Sequence, residues 1–248
     1  MQNYFIKEGY RSNLDPGRVR KYDAAPSDQY QENVYQYAAD LVREHALHSV
    51  VDCGCGSGYK LAKYIGPVCS DITGLDQDAV IRHCLSQYPR FTWLPANFEE
   101  RRVEVTRKYD LILCVDVIEH LIDPDALLSI LKFLAHPESH IVLSTPERDL
   151  IHGLGHLGAP ANPYHVREWN MGEFRSYLEA SGFTVTGHIL VDATTQLDWK
   201  SRLKRVVWPK RYKTCQVAVC RVLDSSPIDT DRRNDLSKRG QTRCAAPV

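Results

Sequence analysis

The feature that most limits what this chain can fold into is the stretch Val50-Val51-Asp52-Cys53-Gly54-Cys55-Gly56-Ser57-Gly58-Tyr59-Lys60-Leu61. It opens with a short apolar run, Ser49 to Val51, that reads as the end of a buried strand. An acid follows, then three glycines at alternate positions, then Lys60 to Ile65 with helical spacing. Glycine lets the backbone turn sharply and lets a ligand approach it closely. Free N–H groups at the start of the helix, reinforced by its dipole, favour a negative group there. The pattern implies a strand, loop and helix of an open α/β sheet, with a small-molecule cradle at the turn. Taken alone, it equally serves an ordinary turn that needed glycine.

A dinucleotide fingerprint requires G-x-G-x-x-G. Here Tyr59 stands where the third glycine would be, so that pattern fails. The pattern present, D-x-G-x-G-x-G, resembles the first motif of class I S-adenosylmethionine-dependent methyltransferases. The resemblance implies a Rossmann-like, seven-stranded, mostly parallel α/β sheet with helices on both faces and an antiparallel terminal strand pair. It also implies that Gly54, Cys55, Gly56 and Gly58 meet the methionine and ribose portions of S-adenosylmethionine, with Asp52 toward the charged amino-acid end.

The next strand, Asp71 to Asp76, ends in an acid that can accept hydrogen bonds from both ribose hydroxyls, with Gln77 beside it. A helix over Gln77 to Gln87 leads to a strand over Phe91 to Leu94. In the family an acid often follows at this point to bind the adenine amino group. This chain has Asn97, whose amide can still accept that hydrogen bond, and Phe98, which can pack on the base. Asn97 serves equally well as a turn residue. The run from Tyr109 to Val115, continuing through Asp116-Val117-Ile118-Glu119-His120-Leu121-Ile122-Asp123-Pro124, resembles the fourth-strand motif of small-molecule methyltransferases of the ubiquinone-pathway type. Ligands in open α/β sheets bind beyond the carboxyl ends of strands. That rule puts Val115, Asp116, Glu119 and His120 at the crevice, although Glu119 and His120 can also orient the loop and cap the helix starting near Pro124.

After a helix over Asp125 to Ala135 and a strand over His140 to Pro146 comes a long loop, Ile151 to Trp169, rich in glycine and histidine. Mobile substrate loops tend to occupy such positions. Its second half, Asn162 to Trp169, resembles the substrate-side segment of the same methyltransferase subgroup. Histidine titrates in the range a general base needs. His165 is therefore the first candidate base, with His120 second and Glu119 beside them, and pinning the loop is the alternative role for His165. Asp116-x-x-Glu119-His120 with His165 also resembles the Mg²⁺ or Mn²⁺ ligands of metal-dependent members, including small-RNA 2′-O-methyltransferases. The same Glu-His pair occurs in metal-free relatives, and the first acid here is the shorter Asp. A divalent metal is thus the less favoured reading, and no metal ligand is assigned.

Pro16 and Pro26 break an N-terminal arm rich in tyrosine, and a helix runs from about Ser27 to His45 with Tyr30, Val34, Tyr37, Ala38, Leu41 and Val42 on one face. Such an apolar face mainly packs a helix on the sheet; the resemblance, in which N-terminal additions commonly lie over the substrate, further implies that residues 1–47 are an arm and helix acting as a substrate lid, with 48–223 the cofactor-binding domain. Strands over Phe183 to Leu190 and Cys215 to Val222 end the sheet. Residues 199–213 concentrate cations with aromatics, a solvated face or a contact for an anionic surface, and 224–248 read as a disordered tail. Thirty-one basic and thirty-one acidic residues give no global field for nucleic acid. The eight cysteines include no C-x-x-C pair, which argues against zinc and for reduced thiols in the cytoplasm. No apolar run spans a bilayer, and the N-terminus lacks a signal-peptide pattern. The expected activity is methyl transfer from S-adenosylmethionine to oxygen or nitrogen of a small-molecule or glycan-linked acceptor. A non-catalytic S-adenosylmethionine-binding scaffold and a nicotinamide-dependent oxidoreductase are the alternatives.

Overall fold

The computed structural model describes residues 10–11, 30–193 and 213–223. Most of the arm, the basic segment up to residue 212 and the tail lie outside them. The described chain runs α1 (Glu32–Glu44), β1 (Ser49–Cys53), a π-wound α2 (Leu61–Ile65), β2 (Asp71–Asp76), α3 (Asp78–Gln87), β3 (Thr92–Asn97) and β4 (Arg102–Val103). It continues with β5 (Tyr109–Val115), a 3₁₀ turn (Ile118–His120), α4 (Pro124–Leu134), β6 (Ala135–Pro146), α5 (Arg148–His152), α6 (Met171–Ala180), β7 (Phe183–Val191) and β8 (Cys215–Val222).

The strands form one eight-stranded sheet in the order β4-β3-β2-β1-β5-β6-β8-β7. Six expected strands pair in parallel or flank β8, which runs antiparallel to both β6 and β7. The strand missing from the seven-stranded expectation is β4, a two-residue edge paired antiparallel to β3; it is too short to carry a periodic signal. The chain builds outward from β1 to β2 and β3, then returns to place β5 on β1's other side. This reversal opens the crevice in which such sheets bind ligands.

Both faces of the sheet are covered, which is why its strands read as continuous apolar runs. Ile112 and Cys114 of β5 pack with α4 and α6 residues such as Leu127 and Phe174. Leu111, Leu113 and Val115 alternate to the other face, against Val34, Tyr35, Ala38 and Val42 of α1. α1 is therefore a layer of the sheet's own core. It begins later than its periodicity predicts, because Gln31 adopts φ 60°, a left-handed conformation a helix interior excludes. Tyr30 is exposed, and Tyr35 is buried with the stripe. The N-terminus of α4 is capped by Asp123, which accepts from the N–H groups of Asp125 and Ala126, with Pro124 at the favoured first position. The capping role weighed for Glu119 and His120 is thereby taken by another residue. α6 starts with a reciprocal Asn170–Glu173 capping box.

Candidate functional site

The glycine loop leaves β1 with positive φ at Gly54 (91°), Gly56 (55°) and Gly58 (76°). A Cβ on Gly54 would lie 2.3 Å from Val117 Cγ2, so the second residue after β5 closes on the loop backbone. One expectation is corrected here. The N–H groups of Gly54 and Cys55 donate to Leu75 O at 2.8 and 3.2 Å, and that of Gly56 donates to Asp76 Oδ2 at 2.9 Å. These three amides are engaged by β2 and are not the free N–H groups from which an anion-binding role was inferred. Cys55 itself is buried against Gly74.

Asp52 and Asp76 sit on either side of this loop, both buried. Asp52 Oδ2 accepts from Tyr35 Oη at 2.7 Å, while Oδ1 is buried without a hydrogen-bond partner. Burial raises the Asp52 carboxyl to about 6, against the lowering effect of Tyr35 and Lys60. Burial likewise raises Asp76 to about 6, opposed by the backbone N–H groups of Gln77 and Gly56. Each Asp76 oxygen accepts one backbone N–H and keeps a second lone pair for a hydroxyl. An orphaned buried carboxylate oxygen calls for a cationic donor, because leaving it unmade costs about 1–3 kcal/mol. A group with an ammonium and a vicinal diol therefore fits these residues, as S-adenosylmethionine does.

Asn97 closes β3, and its Oδ1 accepts from Glu99 N–H at 3.1 Å, the turn role left open by the sequence; Phe98 is buried in the core. Gln77 occupies the N-cap of α3. Val115 ends β5, and Asp116 follows with φ 52°. The Asp116 carboxylate accepts from Ser144 Oγ at 2.5 Å and Gln31 Nε2 at 2.7 Å. Gln31 Oε1 accepts in turn from Lys60 Nζ at 3.1 Å. Gln31 thus bridges the crevice from the glycine-loop helix to β5.

The second centre lies beyond β5 and β6. One ligand atom each of Glu119, His120 and His165 lies within 4.8 Å of the others. The two rings stand edge to face at 4.7 Å. Glu119 is buried beneath Thr145 Oγ1, which donates to its Oε2 at 3.2 Å. Burial, then the charges of Asp116 and Glu168, push the Glu119 carboxyl well above the ordinary range. His120 Nδ1 donates to Tyr164 O at 2.9 Å, and Glu119 O receives Val166 N–H at 2.7 Å. These bonds dock the late loop onto the 3₁₀ turn. The three donors are close enough to share a cation; Asp116, with its carboxylate held by Ser144 and Gln31, is not among them.

Sequence reasoning missed the frame that holds this loop. Glu147 Oε2 accepts from Leu150 N–H and Oε1 from Met171 N–H, tying together the two ends of the segment. Trp169 stacks on Tyr177 at 5.8 Å, and its carbonyl accepts from Gln216 Nε2 at 2.8 Å. Between these roots, Glu168 accepts from His165 Nδ1 at 2.5 Å and His152 Nε2 at 2.9 Å. Burial alone would raise Glu168, but its bonds to His165 and His152 outweigh that and hold it below the ordinary carboxylate value. The arm reaches this centre as well. Tyr10 Oη donates to His120 O at 3.1 Å, and Arg11 N–H donates to Pro163 O at 2.9 Å. The i+3 spacing of His165 and Glu168, and the placement of Tyr35 four before Ala39, were signals available in the sequence; Glu147 and Gln216 offered none.

A family model described as a methyltransferase domain matches residues 27–188. A "Probable S-adenosylmethionine-dependent methyltransferase" of Mycolicibacterium smegmatis is 32% identical over 161 residues, 62% of this chain and 61% of the relative. The ubiquinone biosynthesis O-methyltransferase of Vibrio vulnificus is 25% identical over 155 residues, 56% of this chain and 66% of the relative. The chain thus spans less than two thirds of the length of these curated relatives. Among solved structures, the Burkholderia thailandensis 1,6-didemethyltoxoflavin-N1-methyltransferase, crystallised with S-adenosylhomocysteine, superimposes with TM-score 0.60 at 19% identity, covering 83% of this chain and 85% of that one. The small RNA methyltransferase HEN1 superimposes with TM-score 0.58 at 20% identity, covering 81% of this chain and 26% of that one. Such likeness speaks for the fold. The chain belongs to the S-adenosylmethionine-dependent methyltransferase family.

Proposed function

We propose that this chain transfers a methyl group from S-adenosylmethionine to an oxygen or nitrogen of a small-molecule or glycan-linked acceptor. The observation that carries the reading is the pairing of two centres on one crevice. Asp52 and Asp76 flank the glycine loop with an orphaned acceptor and two open lone pairs. His165 stands beyond β5, with a carboxylate behind it. When bound, S-adenosylmethionine supplies an already activated methyl on a sulfonium. Asp52 would hold the ammonium end and Asp76 the ribose. What remains for the protein is to hold a nucleophile in line and take its proton.

His165 is the group we assign to that proton. Its Nδ1 hydrogen points at Glu168, which makes Nε2 the basic atom. His120, edge-on beside it, is the second choice. Glu119, whose carboxyl burial pushes well above the ordinary range, lies beside both imidazoles and lines the same centre. The arm, through Tyr10 and Arg11, forms a lid over the same centre. Curated ubiquinone biosynthesis O-methyltransferases among the chain's relatives, and the 1,6-didemethyltoxoflavin-N1-methyltransferase among its structural neighbours, support a small acceptor.

The test is mass spectrometry of a metabolite extract incubated with the protein and methyl-labelled S-adenosylmethionine. A labelled, protein-dependent product is expected, and its loss in His165→Ala with cofactor binding intact supports the assigned base. Cofactor binding without any labelled product would favour the scaffold reading instead. Running the assay with EDTA decides the metal question, and transfer indifferent to chelator is the expected result.

A further inference from the structure

His165 is fixed by more than its own loop. Its two ring nitrogens face two partners of opposite character. Nδ1 lies 2.5 Å from Glu168 Oε1, and Nε2 lies 2.9 Å from Asn162 Nδ2. The orientation of the Asn162 amide is set independently, because its Oδ1 accepts from Tyr164 N–H at 3.0 Å. The amide NH₂ must therefore face the ring, and it can only donate. A carboxylate can only accept. The two constraints agree on one tautomer, with hydrogen on Nδ1 and a lone pair on Nε2.

Glu168 is occupied on its other oxygen as well. Oε2 accepts from His152 Nε2 at 2.9 Å. The Glu168 side chain is only 4% exposed, and those of His165 and His152 are 10% and 16% exposed. His152 ends α5, and Gly153 follows with φ 97° and open space around it, so the glycine-rich loop departs from the imidazole that grips Glu168. Both roots of the segment are hydrogen-bonded to the sheet strands or their ends. Glu147 ties Leu150 to Met171, and Trp169, next to Glu168, is held by Gln216.

We propose that Glu168 and His152 are positioning residues for His165, a buried His–Glu–His chain that presents Nε2 as the basic atom and ties its orientation to the root of the glycine-rich loop. Asn162, which is exposed, occupies the place at Nε2 that the acceptor's O–H or N–H takes on binding. The assignment rests on His165 being the base. The chain orders the base without touching the acceptor, so its loss should lower kcat rather than cofactor affinity. A glutamine at 168 can accept from only one imidazole, because its NH₂ must face the other.

The test combines imidazole ¹⁵N NMR with kinetics on the whole chain. In the wild type, His165 is expected to carry its hydrogen on Nδ1. In Glu168→Gln, that tautomer should give way to a mixture, kcat should fall ~10- to 100-fold, and the S-adenosylmethionine Kd should stay within about twofold. His152→Ala should lower kcat in the same direction, and His152→Gln, whose amide restores an N–H donor, should recover most of it. A wild-type His165 protonated on Nε2 would overturn the proposal. So would a Glu168→Gln protein with unchanged tautomer and kcat, or a His152→Gln protein no better than His152→Ala. If His165→Ala keeps its kcat while the tautomer shifts appear as expected, the fault lies with the choice of base and not with the chain that orients it.

Discussion

Asp52 and Asp76 show how single residues set the site's energetics. Both carboxyls titrate near 6 in the folded protein against an ordinary value of 3.8. The ligand-free fold therefore binds protons more tightly than the unfolded chain. These two groups contribute stability that is fully present below about pH 4 and is lost as pH rises through 6. Cofactor binding runs the other way, because an ammonium needs the ionised form. Calorimetric titration from pH 8 to pH 5 should show S-adenosylmethionine affinity flat above about 7 and falling ~10-fold per pH unit per protonated carboxylate below 6. A flat profile would remove the ion-pair role. Asp76→Asn offers a sharper test. Asparagine can accept one of the two backbone N–H groups and must turn its NH₂ toward the other, so it disturbs the loop as well as the ribose contact. A loss of about 1.5–3 kcal/mol, roughly 10- to 150-fold in Kd, is expected.

At the scale of elements, the glycine loop is where local sequence and tertiary packing meet. Gly54→Ala would place a Cβ against Val117 at positive φ. The strain and overpacking should together cost about 2–5 kcal/mol. Gly155→Ala, also at positive φ but with nothing near, should cost about 1–2 kcal/mol. Thermal melts compare them directly, and equal losses would mean that Val117 does not press on the loop. Most elements were legible because their signals are local. The strand over Tyr109–Val115 and the strand over Cys215–Val222 are found with the expected bounds, since each is built around a short apolar run, Leu111 to Val115 and Val217 to Cys220. The start of α1 was not, because the left-handed turn at Gln31 is imposed by its bonds to Asp116 and Ala193. In the candidate site, the positions of Asp52 in β1 and Asp76 at the end of β2 were legible in the motif and strand pattern, and that of His165 in the late loop. The fate of the loop amides was not, because Leu75 O and Asp76 reach them from a neighbouring strand. Glu168 was overlooked for a similar reason: its meaning depends on His152, sixteen residues earlier.

Over the whole molecule, the two centres belong to different parts of the chain. The cofactor side is built by α1, β1 and β2, all anchored in the core. The centre at His120 and His165, proposed above for the acceptor, is assembled from the turn after β5, the segment after β6 and Tyr10–Arg11, which meet at His120 and Pro163. Changes confined to the arm should therefore move acceptor binding and leave cofactor binding alone. Tyr10→Phe removes the hydroxyl that reaches His120 O, and Arg11→Pro, compared with Arg11→Ala to account for the lost side chain, removes the N–H donor to Pro163 O. Each loses one hydrogen bond worth about 0.5–1.5 kcal/mol, so acceptor KM should rise roughly 2- to 12-fold at unchanged S-adenosylmethionine Kd. The two bonds share one docking event, so the double variant should lose less than the sum of the singles. An equal weakening of cofactor binding would show that the arm orders the entire crevice, and full additivity would show that Tyr10 and Arg11 act separately instead of seating one lid.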